Sequence, residues 1–137
     1  MRYVLDACAL IALLNNEDGA HIVAGLYENA VNGDAEIIMH KVNLFEIYYG
    51  YLKVDGKGFA QQQLGAIENS LIKINNTISN ELLCQAAELK GAYKKISLAD
   101  SFAVAQAIVS DAVLVTSDHH ELDVIDKEGI IKVLWIR

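Results

Sequence analysis

The chain has 137 residues, a formal net charge of −7 and a hydrophobic fraction of 53%. That apolar content excludes a disordered segment, and the length suits one domain with one core. The acid excess argues against nucleic-acid binding by a basic surface alone and fits an acidic pocket that meets phosphates through bound cations. No apolar run nears the roughly 20 residues of a membrane-crossing helix, and no leader peptide is visible, so a soluble, cytoplasmic protein is expected. Cys8 and Cys84 stand in apolar stretches and belong to no C-x-x-C pair; both are expected as buried free thiols.

In chain order, residues 2–5 read as a short buried strand and Ala7–Asn15, apolar on every side, as a buried helix. Asn16-Glu17-Asp18-Gly19 supplies a turn. Ile22, Val23, Leu26 and Ala30 fall at helical spacing within Ala20–Asn32, which Asn32-Gly33-Asp34 breaks. Glu36–Met39 predicts a second strand. Asn43–Lys53 and Phe59–Asn69 predict two helices around a flexible Asp55-Gly56-Lys57-Gly58 turn, so residues 43–69 make a helical hairpin. Leu71–Ile74 is a third strand. Ser79 and Ser97 are placed to cap two more helices, the second covering Leu98–Ser110. Ala112–Thr116 predicts a strand, Glu121–Asp126 a helical turn and Ile130–Ile136 the last strand. This alternation is the pattern of an α/β three-layer sandwich around a central, mainly parallel sheet of about five strands. Without linker or repeat, residues 1–137 read as a single domain.

In such a sheet, function collects beyond the carboxyl ends of the strands. Asp6 directly follows the first strand and Asp118 closely follows the Ala112–Thr116 strand. Glu46 lies in the first turn of the Asn43–Lys53 helix, which leaves the second strand, and Asp100 opens the Leu98–Ser110 helix. Each acid also has a plain structural role open to it. Asp6 and Asp118 can cap helices, Asp100 sits at capping-box distance from Ser97, and Glu46 can favour a helix dipole. Together, four acids around one edge make a shared site. No Arg or Lys lies within the apolar stretches holding Asp6 and Asp100, so a cation is the simplest partner for their charge. Hard oxygen donors select Mg²⁺ or Mn²⁺ over Zn²⁺, and such carboxylate-held ions serve phosphodiester cleavage. His119 and His120 are alternative ligands or a solvated turn. Lys41, Lys53 and Lys57 are candidates for peripheral phosphate contacts or plain solvated charges.

At the residue level, Val4-Leu5-Asp6-Ala7-Cys8-Ala9-Leu10-Ile11 resembles the opening of PIN-domain ribonucleases. Val42-Asn43-Leu44-Phe45-Glu46-Ile47-Tyr48-Tyr49-Gly50, Ser97-Leu98-Ala99-Asp100-Ser101-Phe102-Ala103 and Val115-Thr116-Ser117-Asp118 are similar to that family's later acidic motifs, in order. The nearest likeness is to VapC-like toxins of toxin–antitoxin pairs. The resemblance implies a Mg²⁺- or Mn²⁺-dependent endoribonuclease that leaves a 5′-phosphate and a 3′-hydroxyl. It further implies RNA as substrate, a homodimer, and an antitoxin protein whose tail blocks the site. Asp6, Glu46, Asp100 and Asp118 match the family acids as catalytic and metal-holding residues. Thr116 matches a frequent hydroxyl and Asp123 a less regular extra acid. Cys8 departs from the family, which often has Ser, Thr or Asn there, so any hydrogen bond from that position is weakened. A housekeeping RNA-processing nuclease and a non-catalytic PIN-fold interaction domain are the alternatives. A phosphoacceptor domain fits poorly, because no lysine follows either of the last two strands.

Overall fold

Alternate residues of a strand face opposite sides of a sheet, and the apolar residues divide accordingly. Leu5, Ile37, Met39 and Val115 pack into one core, while Val4, Ile38 and Leu114 pack into another. The computed structural model describes residues 1–137. Its first half runs β1 (Arg2–Leu5), α1 (Ala7–Leu14), α2 (Ala20–Val31), β2 (Glu36–His40), α3 (Lys41–Asp55) and α4 (Lys57–Glu68). Its second half runs β3 (Lys73–Asn75), α5 (Asn80–Ala92), α6 (Leu98–Ser110), β4 (Val113–Thr116), α7 (His119–Lys127) and β5 (Val133–Trp135).

The five strands lie in the order β3-β2-β1-β4-β5, and every pairing is parallel. Helices α1 to α4 cover the Leu5 face through residues such as Leu10, Val23, Ile47 and Ile67. Helices α5 to α7 cover the Val4 face through Leu82, Leu89, Val104 and Ile125. The chain is thus the expected α/β three-layer sandwich. The two edge strands, β3 and β5, are only three residues each, shorter than the apolar runs around them, as suits strands that must not recruit a further partner.

The helical hairpin closes more tightly than its composition suggests. Gly56, at φ 85°, is the only residue between α3 and α4, and Tyr51 meets Phe59 edge-on across the turn at 5.4 Å. Two further expectations change. Helix α3 begins at Lys41 rather than Asn43, because His40 caps it: its buried Nδ1 accepts from the Val42 N–H at 3.0 Å. Its Nε2 donates to the Thr77 carbonyl at 3.0 Å. Histidine is outside the usual set of capping residues, which hid this start. Glu46 consequently stands in the second turn of α3, not the first. Cys84 is exposed, not core: it lies about 200° around α5 from Leu82, off the face that buries Leu82, Ala86 and Leu89. Cys8 is half-buried, and both thiols are free.

Candidate active site

The strand order reverses about β1: β2 and β3 lie on one side, β4 and β5 on the other. The crevice beyond the carboxyl ends of β1 and β4 is therefore the topological switch point, where open α/β sheets bind ligands. The register sets Leu5 opposite Val115, so Asp6 and Thr116 emerge side by side. Asp6 is 1% exposed and caps α1, its Oδ1 accepting from the Ala9 N–H at 2.9 Å. Its Oδ2 accepts a hydrogen bond from the Thr116 hydroxyl. That same hydroxyl accepts from the Asp118 N–H at 3.0 Å. Thr116, wholly buried, is the bridge between the first and last acids.

Asp100 arrives from the other side of the crevice, in the first turn of α6. Ser97 caps this helix and accepts from the Asp100 N–H at 3.1 Å. A complete capping box would return the N3 carboxylate to the cap N–H. Here the Ser97 N–H donates instead to Glu121, from α7. The Asp100 carboxylate is thereby released, and its Oδ2 is buried with no hydrogen-bond partner. Leaving such an atom unpaired costs about 1–3 kcal/mol, more when charged. Asp118 caps α7, accepting from the Glu121 N–H at 3.2 Å. Carboxylate oxygens of Asp100, Asp118 and Glu121 all lie within 4.8 Å of one another. Glu46 stands at the exposed rim on α3. Asn43, fully buried one turn earlier on α3, donates to the Ala99 carbonyl at 2.8 Å and so ties α3 to the start of α6.

The charges are not neutralised locally. The ion pairs of the chain are Arg2–Glu36, Lys73–Glu36, His119–Asp123 and Arg137–Glu17, none of them at this cluster. Two like charges 4.8 Å apart repel by about 3.5 kcal/mol at an effective dielectric of 20. Without a cation the cluster must hold protons. Burial pushes Asp6 up to about 7 from 3.8, with Asp118 and Glu46 adding to it against the Thr116 and Ala9 hydrogen bonds. Burial also pushes Asp100 far above the carboxylate range, reinforced by Glu121, Asp6 and Asp118. Glu46 is raised by burial and then by Glu121 and Asp118. Asp118 moves the other way: burial opposes ionisation, but the Glu121 side chain and N–H and the protonated Asp100 beside it outweigh that and hold Asp118 below its usual value.

Of the expected acids, the structure brings Asp100 and Asp118 into one cluster, with Glu121 as its third member; Asp6 is tied to Asp118 through Thr116, both its oxygens being hydrogen-bonded, and Glu46 stands at the rim. Asp123 is not gathered in; it pairs with His119 at 2.7 Å on the exposed side of α7. Lys41, Lys53 and Lys57 are exposed along the α3–α4 hairpin. The Cys8 thiol is pushed up to about 12 by burial and then by the surrounding carboxylates, Asp6 first, so it stays neutral. Two residues were not singled out by sequence: Glu121 and Asn43. Asp118-His119-His120-Glu121 has the spacing of a capping box, the one signal that marked Glu121. Asn43 carried none, since only the packing of α3 on α6 gives its amide a partner.

Residues 3–128 match the family model for the PIN domain, and the chain belongs to that family. Among solved structures, it is similar to VapBC2 from Rickettsia felis, bound to a promoter DNA fragment, with 20% identity and a TM-score of 0.71 over 98% of both chains. It is also similar to VapBC-1 from nontypeable Haemophilus influenzae, with 15% identity and a TM-score of 0.73 over 99% of this chain and 98% of that one. FitAcB from Neisseria gonorrhoeae matches at 17% identity and a TM-score of 0.65 over 98% and 97% of the two chains. At these identities the likeness is one of fold. No curated protein sequence matches the chain. No helix is long and apolar enough to cross a membrane.

Proposed function

We propose that the protein is a metal-dependent endoribonuclease, the toxin of a toxin–antitoxin pair, acting in the cytoplasm as a single-domain homodimer. The observation that carries this reading is the orphaned Asp100 Oδ2, buried in a carboxylate cluster at the switch point of a PIN fold. An unpartnered acid oxygen among other acid oxygens, with no thiol or imidazole donor in the cluster, suits Mg²⁺ or Mn²⁺. Asp6, Asp100 and Asp118 would hold the cation, with Glu121 and Glu46 completing the donor set. When bound, such a cation supplies Lewis-acid activation of the phosphodiester and of the attacking water.

The chain's own residues have distinct tasks. Thr116 fixes the orientation of Asp6 relative to Asp118. Glu121 holds the start of α6, so that Asp100 faces the cluster rather than its own helix cap. Glu46, at the solvent-facing rim, would act either as one of those donors or by positioning the attacking water. The toxin assignment draws on the likeness to the VapBC and FitAcB structures, and it brings an inhibitory antitoxin as partner.

The decisive measurement is cleavage of labelled RNA by the purified protein with Mn²⁺. Wild type should cleave, and Asp6→Ala should fall by at least about 10²-fold, the scale of losing one catalytic electrostatic group. Cleavage that persists in Asp6→Ala, or that is indifferent to chelation, would refute the proposal.

A further inference from the structure

A second feature adjoins the carboxylates. A groove of about 570 Å³ runs between the α5–α6 connection and α7; Tyr93, Lys94 and Lys95 form one wall and His119, Glu121 and Asp123 the other, with the Asp123 carboxylate held by His119. Lys94 and Lys95 are exposed and enter no ion pair. Nearby Lys90, by contrast, is spent on the Ile96 carbonyl at 2.7 Å. His119 is also spent: its ring stacks on Trp135 at 3.8 Å, and its nitrogens meet Asp123 at 2.7 Å and the Arg137 carbonyl at 2.8 Å. It forms a rigid wall rather than a free donor.

Glu121 joins this groove to the cluster. Its carboxylate belongs to the group with Asp100 and Asp118, and it also accepts from the Ser97 N–H. The strap Lys94-Lys95-Ile96-Ser97 is therefore pinned against the acids. Lys53 and Lys57, by contrast, lie on the hairpin at least about 10 Å of helix beyond Glu46 at 1.5 Å per residue. Two unpaired lysines held beside an acid cluster, in a chain of net charge −7, fit a polyanion that the cluster alone would repel.

We propose that this groove is the track along which a single-stranded RNA enters or leaves the carboxylate cluster, with Lys94 and Lys95 each taking a backbone phosphate. The proposal rests on the ribonuclease reading above. It is tested by fluorescence anisotropy with a short labelled single-stranded RNA, titrated over a range of salt in an Asp100→Asn background that prevents turnover. Neutralising a single-strand phosphate contact lowers the slope of log affinity against log salt by about 0.7. Lys94→Gln/Lys95→Gln should therefore flatten the slope by about 1.4, and Lys53→Gln/Lys57→Gln should leave it unchanged. With Asp100 intact, the first pair should raise KM for RNA cleavage and leave kcat in place, a split that general loosening of the fold would not give.

The outcomes separate. RNA binding with an unaltered slope in Lys94→Gln/Lys95→Gln overturns the groove alone. Loss of binding to an acidic peptide, with RNA binding intact, also overturns it and assigns the lysines to a protein segment. A wild-type protein that neither binds nor cleaves RNA overturns the ribonuclease reading and the groove with it.

Discussion

The two ends of the one sheet treat charge in opposite ways. At the amino ends, β1, β2 and β3 begin with Arg2, Glu36 and Lys73, and the register sets Arg2 beside Glu36. Glu36 meets Arg2 at 3.7 Å and Lys73 at 3.5 Å, so the acid is flanked by two cations. At the carboxyl ends, Asp100, Asp118 and Glu121 gather, with Asp6 tied in through Thr116, and no basic side chain makes ion-pair contact with any of them. Cavity size does not separate the ends in the same way. A hollow of about 1070 Å³ lies by the amino ends, but its charges are mixed: Arg2, Asp111, Asp126 and Lys132. The uncompensated sign, not the volume, marks the end that asks for a cation.

The largest expected effect follows from that imbalance. Asp6 is raised from 3.8 to about 7 in the folded state, so the folded protein binds this proton more tightly than the unfolded chain does. Its contribution to stability is fully present below the unfolded value and is lost as pH climbs through the folded one, a swing of about 4 kcal/mol. Asp118, held low, acts oppositely, but only in acid below the ordinary carboxylate range. Metal-free protein should therefore melt higher at about pH 5 than at about pH 8. Mn²⁺ should narrow the gap, since a cation favours the ionised cluster. A metal-free melting temperature that rises steadily over this range would show that the carboxyl end is compensated after all.

Next in size is Asp100→Asn. Asp100 is held protonated in the metal-free fold but ionises in the unfolded chain, so folding near pH 8 must take up its proton; asparagine carries no such cost and should raise the metal-free melting temperature, at about 4 °C for each kcal/mol recovered. It should also remove the shift produced by Mn²⁺. Calorimetry with and without metal reads both. Destabilisation of the metal-free protein would return Asp100 to the role of a helix cap.

How much of this was legible before the structure depends on how local the signal is. The strands, the helices and the Ser79 and Ser97 caps are written in short-range periodicity and side-chain chemistry, so their spans hold to within a few residues. Asp6 and Asp118 were readable because strand direction alone sends both to one edge; Asp100 needed the start of its helix folded toward that edge, which the sequence permits without fixing. The strand order was not, because pairing β1 with both β2 and β4 is a long-range choice. Nor was the diversion of the Ser97 N–H to Glu121, which needs α6 and α7 placed side by side. Cys84 misled for the opposite reason: its neighbours in sequence are apolar, but the helix turns it outward.

Thr116→Val tests the bridge within the site. Valine keeps the volume and removes the hydroxyl that serves Asp6 and Asp118. The Asp118 N–H loses its partner, and Asp6 Oδ2 loses its donor. Leaving such groups unpaired costs about 1–3 kcal/mol, visible as a lower denaturation midpoint. RNA cleavage should fall with it, because the first and last acids lose their common anchor. Unchanged stability in this variant would mean that the two acids are positioned independently.

The smallest effect belongs to the amino end, and its smallness is the point. Glu36→Gln removes the acid between Arg2 and Lys73, whose side chains are 55% and 69% exposed, with Glu36 at 35%. Exposed pairs of this kind are worth about 0–1 kcal/mol each, and salt screens them further. The variant should lose little stability in dilute buffer and nothing measurable at high salt. Its response to Mn²⁺ should equal that of wild type, because the ladder lies a full strand length from the cluster. A change in the Mn²⁺ response would couple the two ends through β1 and β2, and the carboxyl end could no longer be treated as a self-contained excess of negative charge.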